Sequence, residues 1–489
     1  MEDKVGLTEL SATELARLIA AREVKPSEVM AAHLARIAAV NGAVNAVVSL
    51  RDQDVLMAEA RAADAAPRRG WLHGLPLAVK DLVAVKGLRS TYGSPLFADH
   101  VPLADDLVAA RMRAAGAIFI GKTNTPEWGH GSHSFNPVFG VTRNPYDLTR
   151  TAGGSSGGAA AGLAARMVPL ADGSDMMGSL RNPAAFCNVY GFRPSYGRVP
   201  GDALGDTFMA TLATEGPMAR TVEDLARFLG VLAGENPAVP FGLPGGDFTG
   251  DPAELRGLRI GYLGDWGGAY PCEPGILDLC RAGLKVFEDQ GAVVEEVAPP
   301  FPAERLWQAW LTLRAFLNAG AKGAMRDDPA KWAQLKPETQ WEIEQGLLVT
   351  AAQVYEASVI RSRWYARAAR LFDRFDALVM PAAQVWPFPA EWRWPQAING
   401  RQMDTYHRWM EVVVPVSLIG LPSLAVPCGF GRQGLSQQGH PQQGHPQQGL
   451  PMGMQIIGRF GADARLLALG EAYHRATDWP GRRPPQLAP

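Results

Sequence analysis

Gly153-Gly154-Ser155-Ser156-Gly157-Gly158, an alanine-rich run, and then Asp172-Gly173-Ser174-Asp175-Met176-Met177-Gly178-Ser179-Leu180-Arg181-Asn182-Pro183-Ala184: the reading of this 489-residue chain turns on that stretch. A lone Gly/Ser-rich run is most often a loop. This one is followed by a small-residue helix pattern and by a second Gly/Ser turn bracketed by Asp175 and Arg181. Embedded in Gly/Ser/Pro-rich sequence, those two charges read as an ion pair that holds the shape of the turn. Upstream lies Gly74-Leu75-Pro76-Leu77-Ala78-Val79-Lys80-Asp81, an apolar run that ends on a lysine. Lys80, Ser155 and Ser179, in this order and each in its own motif, are far more specific than any one of them alone.

Three other patterns in the same region fail on their surroundings. Gly116-Ala117-Ile118-Phe119-Ile120-Gly121-Lys122-Thr123 matches the phosphate-loop pattern, but that chemistry needs a flexible Gly-rich turn whose amides face phosphate. Its Ala-Ile-Phe-Ile centre reads instead as a buried strand. Gly153-Gly154-Ser155-Ser156-Gly157 fits a nucleophile elbow, which has to follow a strand directly and find a histidine downstream. A turn-rich polar run, residues 144–151, precedes it. Of the downstream histidines, His440 and His445 lie in a low-complexity tract and His474 near the end, leaving His407. His130 and His133, with Glu127 nearby, lack i, i+4 spacing and sit in a Gly- and Asn-rich segment, so no metal site is expected.

Taken together, the Lys80, Ser155 and Ser179 motifs resemble the amidase-signature family. The resemblance extends over residues 10–474. It includes Ser11-Ala12-x-Glu14-Leu15, Gly121-Lys122-Thr123-Asn124, Gly216-Pro217-Met218-Ala219-Arg220-Thr221 and Leu450-Pro451-x-Gly453-x-Gln455. Within the family, the Ser179-Leu180-Arg181-Asn182-Pro183-Ala184-Ala185-Phe186 run looks closer to broad amide hydrolases, the nylon-oligomer type included, than to tRNA-amidotransferase subunits. The resemblance implies an amidohydrolase that cleaves carbon–nitrogen bonds of linear amides through a serine acyl-enzyme, without a cofactor. Anilides, oligoamides, esters and carbamates pass through similar tetrahedral intermediates and stay open as substrates. Two alternatives remain: a glutamine-hydrolysing amidotransferase subunit that feeds ammonia to a partner protein, and a non-catalytic binding protein on an amidase scaffold.

An amide carbonyl is a poor electrophile, so an uncharged hydroxyl attacking it needs a base and an oxyanion site. The resemblance assigns Ser179 as nucleophile, Ser155 as bridging serine and Lys80 as base, and it places a cis peptide at Gly154–Ser155. Lys80 works only if it is neutral before attack. Moving its pKa from ~10.4 to near 7 costs about 4–5 kcal/mol, and burial behind the apolar 75–79 run would supply much of that. Ser156 is expected to support the loop by hydrogen bonds within it. The backbone amides of Met176, Met177, Gly178 and Ser179 are the expected oxyanion donors. The family usually has Gly where this chain has Met177, which demands ordinary φ/ψ there and brings a bulky thioether close to the pocket mouth.

The substrate pocket is read more coarsely. Gly129 and Gly131 fall where the family brings backbone near substrate. Trp128 and His130 beside them, and Trp307 with Trp310, are the expected side-chain walls. Trp307, Trp310 and Arg314 stand at i, i+3 and i+7, on one helix face, which suits core packing or the lining of a bulky pocket. An aromatic lining favours bulky or apolar groups over a glutamine side chain.

The rest of the chain supplies the frame. A charge of −2 leaves no basic field for nucleic acid, so the expected partner is a small-molecule amide. Cys187, Cys272, Cys280 and Cys428 have no metal-like or paired spacing and read as free thiols in a reducing cytoplasm. The N-terminus is charged early and continues as an amphipathic helix pattern, not as a signal peptide. The longest apolar stretch, 412–427, is interrupted by Pro415, Gly420 and Pro422, so no membrane span is expected. Residues 8–40 read as two helices, the first opened by a Ser11/Glu14 capping box and the second near Pro26. Short apolar runs at 75–79, 118–120, 377–380 and 424–426 read as buried strands, and 258–263, 292–297 and 452–457 as further strands, with helices at 105–115 and 276–290. That alternation predicts an α/β layered fold, which the resemblance makes a single large mixed β-sheet covered by helices on both faces. One domain over 1–489 is expected, with the repetitive tract 437–449 inside a surface-loop insert at about 431–450, and a homodimer at the level of the family.

Overall fold

The computed structural model describes residues 6–431 and 449–487. The repetitive tract, apart from Gly449, lies outside these residues, as do His440 and His445. The first helices form as the sequence predicts. Ser11 and Glu14 cap Ala12–Ala20 reciprocally, and Pro26 opens Pro26–Val44 at a position where its missing N–H costs nothing. Among the described residues no helix is long and apolar enough to cross a membrane.

Three strands come first: β1 (Val47–Val48), β2 (Pro76–Lys80) and β3 (Ile118–Thr123). They form a small sheet in the order β1-β3-β2, with β2 and β3 parallel and Leu107–Ala114 as the crossover helix. Every residue of β2 and β3 is buried, which suits their continuous apolar runs and removes the phosphate-loop reading of 116–123.

The remaining strands are β4 (Ala171–Asp175), β5 (Tyr190–Arg193), β6 (Thr214–Ala219), β7 (Arg259–Tyr262), β8 (Val293–Glu296), β9 (Ala377–Pro381), β10 (Ser423–Gly431) and β11 (Leu450–Ile457). They build one eight-stranded sheet in the order β8-β7-β9-β11-β10-β5-β6-β4. It is mixed: β7 runs parallel to β8 and β9, and the other pairs are antiparallel. Helices flank it, among them Ile276–Asp289 and Asp463–Thr477, whose buried faces are mainly apolar. This is the large mixed sheet that the sequence leads one to expect. The first three strands do not extend its ladder, because at the junction of β2 and β4 the Lys80 N–H is taken by the Asp172 carboxylate, at 3.0 and 3.2 Å, not by a backbone carbonyl.

Two helices complete the frame of the site. Helix α1 (Gly157–Ala164) is built from Gly, Ala and Leu, and all of its residues are buried. Helix α2 (Arg181–Phe186) starts two residues after Ser179 and is buried throughout. Both therefore hold their N-terminal loops against rigid core.

Candidate active site

Lys80 closes β2 and is fully buried. With its backbone pinned to Asp172, the side chain reaches across to the Gly/Ser loop. Nζ donates to Ser155 Oγ and Ser156 Oγ, both at 2.8 Å, and to Ser174 Oγ at 2.9 Å. Burial pushes the Lys80 ammonium down to about 8, while the carboxylates of Glu215, Asp172 and Asp175 work to hold it up. The structure therefore puts a lysine with a weakened hold on its proton in direct contact with a serine hydroxyl.

Ser155 and Ser156 occupy the turn that leads into α1, and the Gly154–Ser155 peptide is cis. Neighbouring serines hold this turn on both sides. Ser132 Oγ donates to Gly154 O at 2.5 Å, Ser134 Oγ to Ser155 O at 3.3 Å, and the Gly157 N–H donates to Ser134 Oγ at 3.1 Å. The Ser156 N–H donates to Ser179 O at 3.2 Å, tying the two serine loops together. Among the described residues no hydrogen bond joins Ser155 Oγ to Ser179 Oγ. Catalytic hydrogen bonds commonly tighten only when substrate binds.

Ser179 lies in the turn from β4 to α2 and is 7% exposed. Asp175 organises this turn. Its carboxylate accepts the N–H groups of Gly178 (2.9 Å) and Leu180 (3.1 Å), and pairs with Arg181 and Arg193 at 2.9 and 3.0 Å, all fully buried. Burial alone would raise its carboxyl, but the two guanidinium groups hold it well below the usual carboxylate range. Arg181 also donates to Gln455 Oε1 (2.7 Å) and Ser417 Oγ (2.7 Å), so the pair is anchored to β11 and to the segment preceding β10.

These contacts correct one expectation about the oxyanion loop. The Gly178 amide is already bonded to Asp175 Oδ1, which leaves the amides of Met176, Met177 and Ser179 without a hydrogen-bond partner among the described residues. Gly178 is required for another reason: at φ +80 it turns the chain, and a Cβ there would lie 2.7 Å from Asn182 Oδ1. Met177 has no positive φ, is 3% exposed and packs in the main core. Half-buried Met176 takes the outward place, and its sulfur accepts from Arg314 Nη1 at 3.1 Å.

The expected pocket residues separate into two groups. Gly129 lies against Ser155, since a Cβ on it would stand 3.4 Å from Ser155 Oγ at φ +72. Gly131 faces the Tyr406 ring, 3.7 Å from a hypothetical Cβ. Trp128 stacks on Tyr92 with ring centroids 5.5 Å apart. His130 is a buried pin: its nitrogens pair with Thr339 Oγ1 (2.9 Å) and Asn318 Oδ1 (3.0 Å), and burial lowers its pKa well below the ordinary value. His133 is likewise bonded on both nitrogens, to Ala390 O and Thr151 Oγ1. Trp307 and Trp310, on helix α3 (Ala303–Lys322), are buried in the core. What their helix face delivers toward the serine loop is Arg314, paired with Glu342 (2.6 Å) on helix α4 (Pro337–Leu347) and with Tyr406 (2.9 Å).

Several residues around the site carry no mark in the sequence. Asp172 and Ser174 stand inside the second Gly/Ser motif, but β4 does not read as a strand, so their side chains have no direction that the sequence assigns. Arg193 and Glu215 reach the site through the pairing of β5, β6 and β4, which no local pattern signals.

The Amidase family profile matches residues 28–467. The chain is 35% identical over 509 residues to a glutamyl-tRNA(Gln) amidotransferase subunit of Roseiflexus sp. (strain RS-1), covering 98% of each chain. It is 32% identical over 488 residues to an acylamidase of Rhodococcus erythropolis, covering 97% of each. Among solved structures it is similar to a bacterial aryl acylamidase of the amidase-signature family, with a TM-score of 0.86 and 31% identity over 97% of this chain and 99% of that one. It is also similar to 6-aminohexanoate cyclic dimer hydrolase, with a TM-score of 0.84 and 26% identity over 99% and 100%. With its fold, its serine loops and these relatives in agreement, the chain belongs to the amidase-signature family of enzymes, which hydrolyse amide carbon–nitrogen bonds with a serine.

Proposed function

We propose that Lys80, Ser155 and Ser179 run an acyl-enzyme hydrolysis of small uncharged amides. Neutral Lys80 takes the Ser155 proton as Ser155 takes that of Ser179, and Ser179 Oγ adds to the carbonyl carbon. The oxyanion meets the amides of Met176, Met177 and Ser179. Collapse breaks the carbon–nitrogen bond, and Ser155 returns the proton to the leaving amine. A water then enters by the same proton path, and its attack releases the acid and regenerates Ser179. The observation that carries this reading is the 2.8 Å contact between the buried Lys80 Nζ and Ser155 Oγ. Ser156 and the Asp175–Arg181 pair act as supports. The partner is a small-molecule amide, and the buried free cysteines favour the cytoplasm. A homodimer follows the habit of the family.

The Arg314 guanidinium bears on the substrate class. It stands beside Met176, next to the oxyanion loop, yet is neutralised by Glu342 and hydrogen-bonded to Tyr406. A paired cation is a poor receptor for the carboxylate of free glutamine, whereas Gly129, Met176 and the Tyr406 ring suit an acyl or aryl group. The amidotransferase relatives support the second reading, in which the same serine releases ammonia from glutamine for a partner chain. A burst assay with a chromogenic anilide decides between them. Turnover with a burst in the wild type, abolished in Ser179→Ala, is expected. Glutaminase activity that appears only with an added amidotransferase partner, and no anilide turnover, would favour the second reading.

A further inference from the structure

The hydroxyls that hold Lys80 Nζ are neutral, and among the described residues Lys80 makes no ion pair. Three carboxylates nevertheless act on its ammonium: Glu215, Asp172 and Asp175, with Glu215 the strongest. Two of them are committed elsewhere. Asp172 accepts the Lys80 backbone N–H with both oxygens, and Asp175 is held by Arg181 and Arg193. Glu215 is different. It sits on β6 directly opposite Ser174 on β4, so the two side chains share a face of the sheet. Ser174 Oγ is the hydroxyl that accepts from Lys80 Nζ at 2.9 Å. The Glu215 Oε2 atom is buried and has no hydrogen-bond partner among the described residues. A buried carboxylate oxygen left unsatisfied is costly, so it calls for a role.

We propose that Glu215 is a positioning residue for Lys80, acting on its charge from the strand position opposite Ser174 and so setting the pH above which Lys80 is free to act as base. The inference rests on the catalytic reading given above. In the doubly protonated pair Lys80 is an ammonium and cannot accept from Ser155. Loss of one proton leaves either ammonium and carboxylate or amine and carboxylic acid. Loss of the second leaves the amine in every molecule. A negative Glu215 favours the ammonium, so it raises the pH at which the base becomes available. Burial pushes the Glu215 carboxyl up, against the pull of Lys80, while burial pushes the Lys80 ammonium down. The other groups that bear on Glu215 are the acids Asp172, Asp106 and Asp202, which add to the rise. Lys122 faces Asp172 from β3 and Asp175 is neutralised by its arginines, so neither stands in for Glu215.

The test is the pH dependence of Ser179 acylation by 4-nitrophenyl acetate, followed as the burst of released nitrophenol at the wavelength where its two protonation states absorb equally, across roughly pH 5.5 to 9.5. Wild type, Glu215→Gln, Glu215→Ala and Glu215→Asp are compared. Both uncharged variants should shift the acid limb about one unit toward lower pH, the size expected for loss of one nearby opposite charge. Glu215→Asp, which keeps the charge, should restore the limb toward the wild-type position. A purely structural role would lower amplitude or stability and leave the limb where it was. If the uncharged variants keep the wild-type limb, or move it to higher pH, the inference is wrong. If Glu215→Gln does not fold, Glu215→Ala and Glu215→Asp carry the same comparison. Absence of any Ser179-dependent burst in the wild type would overturn the catalytic reading itself, whereas a normal burst with an unmoved limb overturns only the role of Glu215.

Discussion

At the scale of single residues, the chemistry we propose comes down to whether Lys80 can hold its proton loosely enough. The side chain is stripped of water, which penalises its charge, and it faces hydroxyls that accept equally well from an ammonium or an amine. Removing the amine while keeping the bulk should therefore spare binding and remove base catalysis. Lys80→Met is expected to lower kcat/KM about 10²- to 10⁴-fold through kcat, with KM near the wild-type value. A rise in KM with unchanged kcat would mean that Lys80 binds substrate and is not the base. Lys80, Ser155 and Ser179 are legible in the sequence because each sits in its own short motif. Asp172, Ser174 and Glu215 are not, because which way their side chains point depends on which strands pair.

At the scale of elements, the same distinction explains what the chain discloses. Strands β2, β3, β7, β9, β10 and β11 carry apolar runs and are readable to within a few residues. Strand β4 is Ala-Asp-Gly-Ser-Asp, a composition poor in strand formers, and it exists because β6 pairs with it over five residues. The helices above the site show a parallel case. Trp307 and Trp310 sit on one face of α3 as their spacing demands, but spacing could not say that the face packs into core while Arg314, one turn on from Trp310, reaches the serine loop.

The α3–α4 junction makes a prediction of its own. Burial would raise the Glu342 carboxyl, but Arg314 above all, with the Tyr406 hydroxyl among the lesser contributors, brings it down to about 2. A carboxylate depressed on folding adds stability that is full above its ordinary value of 4.5 and disappears as pH falls toward 2. Glu342→Gln should therefore lose about 3–5 kcal/mol at neutral pH, because Arg314 stays buried without its counter-charge. Denaturant midpoints should show the gap between the variant and wild type closing as pH drops below 4.5. A gap that stays constant with pH would show that the pair contributes shape and no charge.

At the scale of the whole molecule, the arrangement is one of rigid parts meeting at a single point. The three-stranded sheet brings Lys80, the loop before α1 brings Ser155 and Ser156, and the turn between β4 and α2 brings Ser179. The small sheet meets the large one through the Asp172 carboxylate, and the lysine stands at that seam. Family and chemistry follow from this convergence and from the similarity both to acylamidases and to amidotransferase subunits, while we propose that the choice of amide lies in the walls around Gly129, Met176 and Tyr406. The most direct test of the account is to acylate the enzyme with an activated aryl ester near neutral pH, quench in acid to trap the acyl-enzyme, measure its intact mass and map the modified peptide. We predict one acyl group per chain, carried by Ser179 and absent from Ser179→Ala. An adduct on Ser155, or the same adduct persisting in Ser179→Ala, would contradict the assignment of Ser179 as nucleophile.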